Sequence, residues 1–111
     1  MTSTPALFAP LSLRPLTLPN RIMISPMCQY SARDGLPGAW HPAHLGSLAM
    51  SGAGLLCLEA TAVAPEGRIS PHCLGLWNNE QAQALRLLVD GLRAISAMPL
   101  AVQLALSLIH I

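Results

Sequence analysis

The sequence has little charge and no lysine. Only 10% of its 111 residues are Asp, Glu, Lys or Arg, and the six basic side chains are all arginine, spread singly from Arg14 to Arg93. An ordinary soluble domain carries about 25% charged residues. With no basic run or stripe, nucleic acid is not indicated as a partner. Long apolar runs are lacking too: Glu59 interrupts Ala53–Val63, and Gln103 and Ser107 interrupt Met98–Ile109. Both fall short of the ~20 residues a span requires, so no membrane is expected. The N-terminus has no basic residue before Arg14 and holds Pro5 and Pro10. That is unlike a signal peptide, and a cytoplasmic location is the expectation. The three cysteines, Cys28, Cys57 and Cys73, are an odd number without a secretory signal and read as reduced thiols.

What is present is apolar: 52% of the residues are hydrophobic. This excludes disorder, and the length excludes two domains. So few charges would solvate a small free globule poorly, and the composition suits an interior piece of something larger.

Along the chain, Leu11–Pro19 reads as a small hairpin or extended lead-in closed by Pro19-Asn20. Arg21–Ser25 is a short apolar run stopped by Pro26 and reads as a first buried strand. Ser31, Asp34, Gly35, Pro37 and Gly38 mark Gln29–Pro42 as a long loop. His41–Ser51 places His44, Leu45, Leu48 and Ala49 on one helical face, with Gly52 as terminator. Gly54–Leu58 is continuously apolar, as in a parallel strand buried on both faces. Pro65, Gly67, Pro71 and Gly75 make Thr61–Trp77 a second long loop. Asn78 and Gln81 form a capping pair for a helix Asn79–Ala97, whose Leu85, Leu88, Leu92 and Ile95 stripe should face the core. Leu100–Leu104 reads as a third strand.

Strands alternating with helices imply a parallel sheet. A doubly wound sheet would carry a Gly-x-Gly-x-x-Gly turn after the first strand, and none is present. Polar or reactive residues instead collect at strand C-terminal ends: Ser25-Pro26-Met27-Cys28, Glu59-Ala60-Thr61 and Gln103. That is the mark of a (β/α)8 TIM barrel, of which this chain would supply about three strands and two helices.

Asn20-Arg21-Ile22, Ser25-Pro26-Met27-Cys28-Gln29-Tyr30, Asp34-Gly35, Trp40-His41-Pro42-Ala43-His44-Leu45, Glu59-Ala60-Thr61-Ala62-Val63, Pro65-Glu66-Gly67-Arg68-Ile69, Leu76-Trp77-Asn78-Asn79 and Val102-Gln103-Leu104-Ala105 together resemble the amino-terminal part of the Old Yellow Enzyme family. Cys28 with Tyr30 resembles its xenobiotic-reductase branch. The resemblance implies an FMN-dependent oxidoreductase in which NADPH or NADH reduces the flavin and the flavin N5 delivers hydride to a small α,β-unsaturated substrate. It assigns Ser25, Pro26, Met27, Cys28, Ala60 and Gln103 to the flavin and Tyr30 to the substrate. Cys28 would lend the flavin a weak hydrogen bond that tunes its potential, while the cofactor does the chemistry. The Gln103 amide can donate and accept, which suits the pyrimidine edge.

Residues 1–105 are accordingly expected to be the first part of an FMN-binding barrel. The final residues, Leu106-Ser107-Leu108-Ile109-His110-Ile111, depart from the family and match the translation of a transposon adapter used for sequencing libraries. They are expected to be a non-native tail, with the gene continuing past Ala105. The substrate-binding His pair, the proton donor and the phosphate site would then lie beyond Ala105, leaving no catalytic residue here and a whole protein that could be a homo-oligomer.

Cys57 and Cys73 are expected to be structural. A metal at His41 and His44 with Cys28 lacks the paired four-ligand spacing of zinc, so none is expected. Glu59 could be a base, but an ion pair with Arg68 is the simpler expectation. Trp40 and Trp77 should pack under the loops. The alternative from another class is a non-enzymatic α/β module binding a ligand or partner through its two long loops.

Overall fold

The computed structural model describes residues 4–107. Its centre is the strand β4, Leu55–Ala62, flanked in the sequence by the strands β1 (Leu11–Leu13), β2 (Leu16–Leu18), β3 (Met23–Ile24), β5 (Leu74–Gly75) and β6 (Leu100–Ala105). Two helices, α1 (Trp40–Ala49) and α2 (Asn79–Ile95), complete the order. β1 and β2 form the expected hairpin, turned at Arg14 with φ 55°.

All pairings of β4 are parallel. Leu56 pairs with both Ile24 and Leu100, and Thr61 with both Leu74 and Leu104. β3 and β5 therefore share one edge of β4, and β6 takes the whole of the other. Support on both edges explains why β4 runs on through Glu59-Ala60-Thr61 and does not stop at Leu58. β5 is an addition to the sequence reading, which placed that segment in a loop. β3 is shorter than the expected Arg21–Ser25, because the Arg21 N–H donates to the Leu7 carbonyl and the Ile22 N–H to Asn20 Oδ1, leaving neither for a ladder.

The core lies between the sheet and the two helices. Leu45 and Ala49 of α1, Leu56 and Leu58 of β4, Leu88 and Leu92 of α2, and Met98 form one buried cluster, with Ile24, Leu48, Leu85 and Leu100 packed against it. Burying a leucine side chain contributes ~1.5–3 kcal/mol, so this cluster dominates the stability of the unit. Ile95 departs from the expected stripe: it is 54% exposed, with its tip toward Gly46. α2 ends two residues early because Ser96 is extended and its Oγ donates to the Ala49 carbonyl at 2.6 Å, stitching the helix ends together.

Two tight contacts position the loops. Asn20 donates through Nδ2 to the Gly52 carbonyl at 2.9 Å, and its backbone carbonyl lies where a Cβ on Gly54 would be. Arg33 and Leu36 exchange both backbone hydrogen bonds across Asp34 (φ 51°) and Gly35 (φ 73°). Positive φ at both central residues is the signature of a tight primed turn, for which Asp-Gly is suited.

Candidate functional site at the strand ends

The ladder between β4 and β6 is regular up to Leu58↔Val102 and resumes at Thr61↔Leu104. Glu59 and Ala60 together thus face the single residue Gln103, which is a β-bulge in β4. Bulges re-aim side chains and are enriched beside active sites. Here the bulge falls between two strand ends that the sequence marks as polar.

The segment after β3 crosses to this bulge. Cys28 lies beside the Ala60 backbone, and burial, followed by the neighbouring Cys73, pushes its pKa above the ordinary thiol value. Cys28 is therefore a neutral thiol at pH 7 and retains an S–H to donate. The structure thus brings Cys28, Ala60 and Gln103 together. Ser25 and Met27 are exposed along the same segment, Pro26 is half-buried between them, and Gln103 is exposed. Gln103 has no side-chain hydrogen bond among the described residues.

Tyr30 is 53% exposed at φ 52°. Positive φ is a genuine outlier for a bulky residue, and such strain collects at binding sites. The conformation is held from both sides. Ser31 Oγ donates to the Gln29 carbonyl at 2.9 Å, and the Ala32 N–H donates to the His72 carbonyl at 2.9 Å.

Beneath the bulge the geometry departs from the sequence reading. Glu59 does not pair with Arg68. It is 4% exposed and turned toward His41, itself fully buried, with Oε2 3.8 Å from Nε2. Burial pushes the Glu59 carboxyl up to about 7 and the His41 imidazole down. Arg68 instead lies over the Trp77 ring at 5.2 Å and donates to the Pro65 carbonyl. Trp40 is not under a loop: it is 52% exposed, stacks on His44 at 5.7 Å and donates Nε1 to Gln29 Oε1. Cys73 is buried, as expected of a structural thiol, yet it adjoins Cys28. No group of three metal-ligating side chains occurs among the described residues. Nor is any helix of the described residues long and apolar enough to cross a membrane.

The sequence reading missed the His41–Glu59 contact because it judged the two residues separately, 18 positions apart. A carboxylate ending an apolar strand was the available signal. Of the expected tail, Leu106 packs on Gly67 and the Ser107 N–H donates to the Gly67 carbonyl at 2.7 Å, while residues 108–111 lie outside the described residues.

Comparison with known proteins agrees with this geometry. A sequence model of the NADH:flavin oxidoreductase / NADH oxidase family matches residues 6–109. An NADPH dehydrogenase of Listeria welshimeri is 53% identical over 82% of this chain and 28% of its own length. One of Geobacillus thermodenitrificans is 45% identical over 89% of this chain and 29% of its own. Among solved structures, morphinone reductase superposes with TM-score 0.81 at 33% identity, covering 93% of this chain and 27% of that one. The old yellow enzyme homologue of Zymomonas mobilis gives 0.79 at 27% identity, covering 91% and 28%. The chain spans little more than a quarter of these relatives, and its α/β architecture is the opening part of their TIM barrel. With that match over residues 6–109, the chain belongs to the NADH:flavin oxidoreductase / NADH oxidase family, within its Old Yellow Enzyme group.

Proposed function

We propose that this chain forms the flavin-cradling part of an FMN-dependent NAD(P)H oxidoreductase that reduces electron-poor C=C bonds. The observation that carries the reading is the bulge at Glu59-Ala60, with Cys28 beside Ala60 and Gln103 opposite it in β6.

The residues present fit a flavin. Its ring system is flat, apolar on both faces and polar along one edge. Met27 (48% exposed), Tyr30 (53%) and Leu104 (60%) leave apolar surface open around the strand ends. The Gln103 amide, able to donate and accept, supplies a partner for the polar edge. Ser25, Pro26, Met27 and Cys28 would line one side of the ring, and Ala60 and Gln103 would hold the pyrimidine end. Bound flavin would supply hydride acceptance from a reduced nicotinamide and its delivery to the substrate. The neutral Cys28 thiol would donate a weak hydrogen bond and so bias the electron affinity of the ring. Tyr30, held at positive φ beside this platform, would orient the alkene. The two long loops lie against each other through Ala32 and His72, an arrangement that frames the site and favours the enzyme over a loop-mediated binding module. The His pair that would polarise the substrate is expected in the part of the family's length that this chain does not cover.

The test uses the protein encoded by the open reading frame that contains this sequence. Purified protein should carry yellow FMN and oxidise NADPH or NADH in the presence of a cyclic enone. Cys28→Ala should keep the flavin while shifting its reduction potential. Colourless protein that takes up no added FMN would sink the reading. The peptide of residues 1–111 alone should turn over nothing, and flavin-bound peptide oxidising NADPH would overturn that expectation.

A further inference from the structure

Trp40 opens α1 half exposed to solvent and outside the buried cluster, yet its indole reaches the segment that carries Cys28 and Tyr30. We propose that Trp40 is a positioning residue: through the Gln29 amide it pegs the segment 27–31 to α1 and so keeps Tyr30 in its strained conformation. The proposal rests on the flavin-site reading in taking Tyr30 as the residue that orients the substrate.

Gln29 is the coupling. Its Nε2 donates to the Met27 carbonyl at 3.0 Å, and its Oε1 accepts the Trp40 Nε1–H at 3.0 Å. An indole N–H only donates and a carbonyl only accepts, so both ends of the amide are specified and it cannot turn over. The side chain thereby bridges back across Cys28. On the other side, Ser31 Oγ donates to the Gln29 carbonyl at 2.9 Å, spanning Tyr30. The Met27 and Ser31 bonds are internal to the segment and would travel with it, whereas the Trp40 bond reaches another element. With the Ala32 N–H donating to the His72 carbonyl at 2.9 Å, it tethers Tyr30 from both sides. A tyrosine at φ 52° persists only where its surroundings over-determine it, and these two tethers do so. Trp40 is itself held. Its ring stacks on His44, one turn further along α1, with centroids 5.7 Å apart and planes within 11°. The stack fixes the plane in which the indole N–H points. Phenylalanine at this position can keep the stack and lacks the N–H, so Trp40→Phe removes the peg alone.

The experiment uses the whole encoded protein and reads two things. Without flavin, hydrogen–deuterium exchange resolved by peptide mass spectrometry should show residues 27–32 exchanging ~5-fold faster in Trp40→Phe than in wild type, the loss of one net hydrogen bond. The α2 peptide should keep its wild-type rate. Gln29→Met, which breaks both ends of the bridge, should match or exceed that gain, and adding Trp40→Phe to it should change nothing further. With FMN bound, Trp40→Phe should raise the KM for 2-cyclohexen-1-one ~5-fold and hold kcat within about 2-fold, the split expected when substrate orientation loosens and the flavin chemistry does not. Wild-type exchange in both variants overturns the proposal, and so does an unchanged KM in a variant whose segment has loosened. If the α2 peptide also exchanges faster, Trp40→Phe has lost its fold and Gln29→Met decides by the same criteria. Because exchange is read without flavin, protein that takes up no FMN would sink the flavin-site reading, while exchange would still decide whether Trp40 holds the segment.

Discussion

Gln81 Nε2 donates to the carbonyl of Asp34, 47 positions earlier, at 3.0 Å. The same buried side chain accepts the Trp77 N–H through Oε1 at 2.8 Å, while its own N–H donates to Asn78 Oδ1 at 2.9 Å. The capping pair read from the sequence is thus half of what forms. Asn78 caps α2 as expected, but the Gln81 side chain, instead of returning to the Asn78 N–H, ties the Asp34-Gly35 turn to the entry of the helix.

Gln81→Leu should therefore destabilise the fold by about 1–3 kcal/mol, since it strands the Trp77 N–H and the Asp34 carbonyl at a part-buried place. Asn78→Ala, which removes only the cap, should lower stability by ~1 kcal/mol. Urea unfolding of the two variants side by side checks the order, and equal losses would show that the Asp34 contact contributes nothing.

Gly54→Ala should be worse than a helix-surface Gly91→Ala. A Cβ on Gly54 enters the Asn20 backbone carbonyl, whereas nothing lies within 4 Å of one on Gly91. Overpacking against backbone costs ~1–3 kcal/mol, while an exposed helical Gly→Ala gains up to about 1 kcal/mol. The two midpoints should move in opposite directions.

Leu56→Ala should lower stability by ~2–5 kcal/mol and leave a cavity beneath α1 and α2. Leu87→Ala, at a side chain 73% exposed, should stay within about 0.5 kcal/mol of wild type. A comparable loss at Leu87 in the whole protein would show that this face of α2 is covered there.

The His41–Glu59 couple sets a particular pH dependence. In the unfolded chain Glu59 titrates near 4.5 and His41 near 6.5, whereas folding raises the first to about 7 and lowers the second. The Glu59 contribution is full below 4.5 and is lost as pH rises through about 7; the His41 contribution is full above 6.5 and is lost as pH falls. Between those values the Glu59 contribution declines while the His41 contribution grows as pH rises, so the two oppose each other. Stability should fall as pH rises from about 6.5 through about 7, where the last of the Glu59 contribution is lost. In Glu59→Gln that fall should disappear and stability should rise with pH toward 6.5, because His41 then titrates alone. Chemical denaturation at a series of pH values reads this directly.

Much of the molecule was legible in one dimension because the signals were local. The Asn78 cap and the leucine spacing placed α2 to within two residues of its end, and the apolar run at Gly54–Leu58 located the central strand. The strand-end polar residues pointed to the barrel, and motifs such as Ser25–Tyr30 and Glu59–Val63 carried the resemblance to the family that the comparisons then showed. The bulge, by contrast, exists only in the register of β4 against β6, and β5 is two residues long with no pattern of its own. Glu59 chose His41 over the nearer Arg68 because Arg68 found the Trp77 ring and two loop carbonyls, which spacing along a chain does not encode. Periodicity and chain stiffness made the elements and the fold class a property of the sequence. Which buried carboxyl meets which imidazole, and that Cys28 comes to lie beside Ala60, were decided by packing that brings together segments tens of residues apart.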